Sequence, residues 1–429
     1  MRIRNAAAFI AVFVALGNSF SPAQVTFRLR GQLHSAAPLF LDSGSVSQGD
    51  RQSGLSDLGA GPYARVQSQR SAKLRAVDVT ADEYRENGRV DRAPGTATIP
   101  YWTDSFTYHG VEYKYSMVGS DPQKGSQTTV IPTVIIPLRF VFPDGTVYDA
   151  STDITDGGQT AVDGAINSPI FQNYNFIIGG TSVGNTQFGD AFQRANFWDS
   201  VSTSSPNYHV ILSQPTVAPT QTISVSQAQA SYYLDPITNQ LEPVVPDRYL
   251  RKLTDRVLTQ AGVTPGTLPI ILWGRVTGFT AGGFHGSHTI KGKPQTFISA
   301  AFGGPVIDSY ILSHEVLEWL DDPFLDNVTA GWNIPFIPPI DVCDSTGITN
   351  DLLEVADPVE SFIPEAVVPL NTSPFTYHVT EATFIDFFTR ANPSRSVNGQ
   401  YSMFTIGTQF GMPSVPSSEC TSGLRRTRP

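Results

Sequence analysis

The chain has 429 residues, enough for one large domain or two ordinary ones with well-buried cores. A net charge of -10 and the lack of any Lys/Arg block argue against nucleic acid or an anionic membrane surface as the main partner. Charged residues make up only 15% of the chain, against 36 Gly and 32 Pro, which excludes a helical bundle and favours strands and loops.

At the N-terminus, Arg2 and Arg4 precede the apolar run "AAAFIAVFVAL", and small residues lead to Ala23. This order predicts a secretory signal over residues 1–23, too short to span a bilayer comfortably. No later stretch is long and apolar enough for a transmembrane helix, so the expected mature protein is secreted, extracellular or periplasmic. Residues 24–98 are rich in Ser, Gly, Gln and Arg with no sustained apolar period, the composition of a disordered linker or pro-segment.

Ordered structure is expected from "IPYWTDSFTYHGVEYKYSMV", which alternates as a half-buried strand does, and from "TTVIPTVIIPLRFVF", closed by the turn Pro143-Asp144-Gly145. In "NTQFGDAFQRANFWDSV" the period becomes helical, with Asp190 and Arg194 as an i,i+4 pair. "SQPTVAPTQTISVSQAQA" reads as strand and loop, "DRYLRKLTDRVLTQAG" as a helix stopped by Gly262, and "TLPIILWGRV" as a buried strand. A Gly-rich loop, "GFTAGGFHGSH", precedes the strand "QTFISAAFG", and a helix beginning near Asp308 ends at Pro323. "TYHVTEATFIDFFTR" fits either strand or helix, and "SVNGQYSMF" holds an Asn-Gly turn of hairpin type. The expected fold is therefore α+β, with a β-rich part over 99–245 and a metal-binding catalytic part over 246–429.

The helix near Asp308 contains "SHEVLEW". Residues four apart share a helix face, so His314 and Glu318 can reach one ion, while Glu315 is turned to the side where a carboxylate can take a proton from water. With 7 His and 11 Glu in the chain, composition alone would produce His-Glu-x-x-Glu about 0.005 times. The alternative is a polar helix face used for hydrogen bonding or solvation, but the apolar flanks make burial of two carboxylates costly without a cation or partners. For a third ligand the candidates in order are Glu354, Asp357 and His285. Glu354 and Asp357 lie three apart in "LEVADP", and His285 pairs with His288 on the Gly-rich loop. Cys343 and Cys420, an even count in an oxidising compartment, are expected to form a disulfide. Asn327 and Asn371 head glycosylation sequons.

"SHEVLEWLDDPF" and "LEVADP", with "DAFQRANFW" upstream and "VNGQYS" downstream, resemble a group of uncharacterised secreted bacterial proteins carrying His-Glu-x-x-Glu-Trp and Asp-Pro. The likeness spans most of residues 100–410, and it implies a shared site without a substrate. A fainter likeness reaches the plant EXORDIUM-like secreted proteins, which implies a non-catalytic alternative. At His314, Glu315 and Glu354 the chain resembles the zincin metallopeptidases, which implies a zincin-like metal-binding helix, a peptide or protein substrate and Glu315 acting on metal-bound water. Glu318 stands where those enzymes carry a second histidine. Two carboxylate ligands lower the Lewis acidity of Zn²⁺ and suit Ca²⁺ or Mn²⁺ as well. The residues thus point to a secreted metal-dependent hydrolase, with a secreted binding protein built around a structural cation as the alternative. A hydrolase using only carboxylates, Glu315 with Glu354 or Asp357, is the third reading. Tyr377, His378 and Tyr401 are candidates for stabilising an oxyanion.

Export is expected to remove residues 1–23. N-terminal sequencing of the exported protein should begin at Gln24, and secreted material beginning at Met1 would contradict this reading.

Overall fold

The computed structural model describes residues 97–155, 157–234, 241–278, 282–303, 308–332, 340–343, 349–362 and 366–404. The expected signal segment, residues 24–96, Cys420 and the side chain of Cys343 lie outside the described residues, and with them the expected disulfide.

Strands predominate over helices among the described residues, in an α+β architecture organised by a seven-stranded sheet. In chain order its strands are β1 (Thr133–Val141), β2 (Val147–Asp149), β3 (Thr216–Val217), β4 (Gln221–Ser224), β5 (Leu268–Trp273), β6 (Gly283–Ile290) and β7 (Lys293–Ala301). Across the sheet the order is β4-β1-β5-β7-β6, with β2 and β3 also pairing with β1. Strands β4, β1, β5 and β7 run parallel, and β6 closes one edge antiparallel to β7. Strands from both sides of residue 245 pair in this sheet, so the expected division there falls between strands of one sheet.

The helices are α1 (Ala161–Asn167), α2 (Phe188–Asn196), α3 (Trp198–Val201), α4 (Asp247–Ala261), α5 (Tyr310–Asp321) and α6 (Ile385–Thr389). They cover both faces of the sheet, which is why β5 is buried along its whole length and reads as an unbroken apolar run. Leu268, Ile270 and Leu272 point into the core formed with α2 and α5, whereas Ile271 and Trp273 point into the core formed with Leu250, Leu253 and Val257 of α4. Gly262 ends α4 in the left-handed conformation, φ 65°.

All twelve residues of α5 are buried, so it has no solvent face to receive its polar side chains. Helix α2 approaches closely through Gly189, where a Cβ would stand 2.8 Å from Leu320 Cδ1 and 3.4 Å from Val316 Cγ1. Asp190 does not turn to Arg194 as helix spacing suggests. It accepts from Thr186 Oγ1 at 2.7 Å and the Val210 amide at 2.7 Å and meets His209 Nδ1 at 2.8 Å, while Arg194 donates to the carbonyls of Val183 and Tyr208. The helical period located the element; the partners came from neighbouring strands.

Two further expectations change in the structure. "GFHGSH" is strand β6 rather than a loop, because antiparallel pairing with β7 satisfies its backbone. The Asn-Gly of "SVNGQYSMF" forms a short 3-10 turn, Val397–Gly399, with both residues at positive φ, and Asn398 bonds Thr181 Oγ1 and the Ile178 carbonyl instead of closing a hairpin. The ambiguous "TYHVTEATFIDFFTR" contains both elements, the strand Phe375–Thr380 and then α6. Of the two sequon asparagines, Asn371 is exposed, and Asn327 is sealed at 1% exposure with its amide donating to the Ser116 and Asp321 carbonyls.

The approach at Gly189 makes a stability prediction. Gly189→Val should overpack the contact between α2 and α5 and cost about 1–3 kcal/mol, seen as a lower urea midpoint. An unchanged midpoint would show that the helices have room to spare.

Candidate metal centre

The centre is built where α5 packs behind edge strand β6. Helix spacing puts His314 and Glu318 on one face, and both are buried, at 5% and 3% exposure. His314 Nε2 lies 2.9 Å from Glu318 Oε1, a buried pairing of imidazole and carboxyl. Asp357, at the start of the 3-10 turn Asp357–Phe362, brings Oδ1 to 3.5 Å from His314 Nε2 and is the partly exposed member of the cluster.

Strand β6 supplies the other side. A Cβ at Gly283 would stand 2.8 Å from both Cγ and Oε1 of Glu315, so glycine is what lets the strand reach the helix. Two residues on, His285 places Nε2 3.1 Å from the Asp322 carbonyl. A carbonyl only accepts, so Nε2 carries the proton, and Nδ1 is left facing the carboxylates. From Nδ1 the distances are 3.5 Å to Glu315 Oε2, 3.7 Å to Glu318 Oε2 and 4.0 Å to Glu354 Oε2. Asp322 is itself held by the amides of Asp326 and Asn327, which fixes the carbonyl that orients the ring. His288 does not join in, because residues three apart in a strand face opposite ways; its ring meets Asp255 on α4 and packs on Phe297.

Burial pushes the Glu318 carboxyl up to about 7, with His314 opposing the rise and Asp357 and Glu315 adding to it. Glu354 is driven well above the usual carboxylate range, first by burial and then by the charges of Glu318, Asp357 and Asp322. For His285 burial acts downward, but the carboxylates around it, Glu315 and Glu318 foremost, raise the ring to about 8. Among the described residues, no Lys or Arg ion pair reaches Glu315, Glu318, Glu354 or Asp357; their only basic neighbours are His285 and His314. Two groups of buried side chains can hold a metal ion: His285 with Glu318 and Glu354, and His314 with Glu315 and Glu318.

All six residues singled out in the sequence thus meet in one place, although Glu354 sits with His285 and Asp357 with His314. The candidate oxyanion groups do not join them. Tyr377 Oη accepts from Gln159, Tyr401 Oη donates to the Ala391 carbonyl and His378 Nδ1 meets Asp308. Asp322 and Gly283 were not singled out, though the acidic pair before Pro323 and the Gly-Gly before His285 are local traces of them.

Behind the centre, Asp321 is fully buried and takes hydrogen bonds from Gln193 and, at 3.3 Å, from Asn196 Nδ2. Burial pushes its carboxyl up to about 8 against the Gln193 bond. The unfolded chain releases that proton near pH ~3.9, so the associated stability is present below that value and lost as pH rises through about 8. The thermal midpoint should therefore decline between pH 5 and pH 9, and less steeply in Asp321→Asn. Equal slopes in the two proteins would show that Asp321 ionises normally.

In comparisons with known proteins, no family model, no curated protein and no solved structure matches the chain.

Proposed function

We propose that the protein is a secreted metal-dependent hydrolase of zincin-like design, acting on peptide bonds. The observation that carries this reading is the buried set of carboxylates facing two imidazoles, with no Lys or Arg ion pair among the described residues to offset them. Taking several carboxyl groups out of water is costly unless a cation or protons balance them. His314, Glu318 and Asp357 are the residues assigned to hold the ion, with Glu354 on the far side of Glu318. Zn²⁺ is the assigned ion, and the carboxylate-rich donor set also accommodates Mn²⁺ or Ca²⁺.

Bound there, the ion would supply Lewis acidity for polarising a carbonyl and acidifying water. Glu315 is the assigned base. It follows His314 on the helix, is one of the residues grouped with it, and its carboxylate can take the proton of an attacking water. The partly exposed Asp357 marks the side from which solvent and substrate would reach the cluster. The depth of the remaining members, each about 5% exposed or less, favours one alternative, a secreted binding protein stabilised by a structural cation.

Glu315→Gln separates the two. As a hydrolase, the protein should keep its metal in this variant and lose peptide hydrolysis by about 10²–10⁴-fold. His314→Ala should lose metal and destabilise the fold, since the carboxylates it faces become uncompensated. Elemental analysis beside a broad peptide-substrate assay checks both. Metal retained in wild type with no hydrolysis of any peptide would favour the structural cation, and unreduced metal content in His314→Ala would remove that residue from the ligands.

A further inference from the structure

We propose that the centre is built for two cations bridged by the Glu318 carboxylate, one beside His314 and Asp357 and the other between His285 and Glu354. This inference rests on the metal-binding part of the reading above and is independent of the reaction.

Glu318 presents its two oxygens to two different imidazoles. Oε1 lies 2.9 Å from His314 Nε2, and Oε2 lies 3.7 Å from His285 Nδ1. The two groups able to hold an ion accordingly share Glu318 and no other residue. A carboxylate used this way is a bridge, with each oxygen serving its own ion.

The His285 side has the marks of a separate site. Its ring is oriented by the bond from Nε2 to the Asp322 carbonyl, the usual way a ligand histidine is fixed by its other nitrogen. From Nδ1 the oxygens of Glu318 and Glu354 stand 3.7 and 4.0 Å away, too far for hydrogen bonds. Donors around a tetrahedral ion with bonds of ~2.1–2.4 Å stand roughly 3.4–3.9 Å apart. The 3.7 Å spacing falls within that range and the 4.0 Å spacing just beyond it. Glu354 Oε1 is buried and accepts no hydrogen bond, which leaves it available on the same side.

Charge gives the same answer. In the deprotonated state that metal ligands adopt, Glu315, Glu318, Glu354 and Asp357 bring four negative charges and the two neutral imidazoles bring none. A single divalent ion would leave two charges uncompensated beside a fully buried helix, and a second would remove them. In hydrolytic sites a pair of ions roughly 3.5–4 Å apart clamps the attacking and leaving oxygens together. The bridge would thus place the Glu315 carboxylate beside both ions.

The test loads metal-free, full-length mature protein with Mn²⁺ alone. Ions per chain are counted by elemental analysis and native mass spectrometry, and the electron paramagnetic resonance spectrum is recorded. Two ions per chain with an exchange-coupled spectrum are expected. His285→Ala should halve the count and convert the spectrum to the six lines of isolated Mn²⁺, with circular dichroism reporting whether the variant folds. The wild-type count and spectrum decide the matter even if it does not. One ion per chain at saturation, or two ions without coupling, would overturn the bridged pair. One ion with peptide hydrolysis intact overturns this inference alone, and two coupled ions with no hydrolysis support it while overturning the hydrolase. No bound ion overturns both.

Discussion

The arrangement on which the centre depends is the burial of carboxyl groups on α5 against the imidazole of an edge strand. Glu315 and Glu318 are buried beside the leucines of the same helix, and a lone carboxylate in such surroundings is strongly disfavoured. The surrounding chain brings the members of the cluster into reach of one another. Gly283 removes the side chain that would hold β6 away from Glu315, the Asp322 carbonyl turns the His285 ring inward, and the 3-10 turn after Glu354 adds Asp357 on the side of His314.

The sheet explains why this can happen at its edge. Interior strands are paired on both sides and are committed to the cores above and below. Among the described residues strand β6 pairs only with β7 within this sheet, so it is positioned by one ladder and by its contact with α5. The C-terminal end of α5 is pinned separately: Asn327 bridges the Ser116 backbone and the Asp321 carbonyl, and α2 binds the Asp321 side chain. A helix fixed at that end and packed against a strand of set register can present side chains with the precision that coordination demands.

Much of the fold was readable because its signals are local. The period of α4 and the αL glycine that ends it, the turn at Pro143-Asp144-Gly145 and the continuous apolar run of β5 each express a preference of a few adjacent residues. The errors have one form. "GFHGSH" looks like a loop because glycine weakens strand propensity, and it becomes a strand because β7 supplies a partner. Asp190 and Arg194 look like a helical pair because they are four apart, but backbone groups of neighbouring segments bind each of them instead.

The sequence by itself determined the helix that carries His314, Glu315 and Glu318, since their shared neighbourhood follows from 3.6 residues per turn and needs no other part of the chain. It also brought Glu354 and Asp357 into view as acids three apart. What it could not decide was how those residues are shared: that His285 is oriented by Asp322 and faces Glu354, that Asp357 stands with His314, and that Glu318 turns one oxygen toward each. Those relations depend on strand register and on a close approach at Gly283 between segments about thirty residues apart in the chain and more. Such approaches are set by the packing of the whole sheet, and only the tertiary structure contains them.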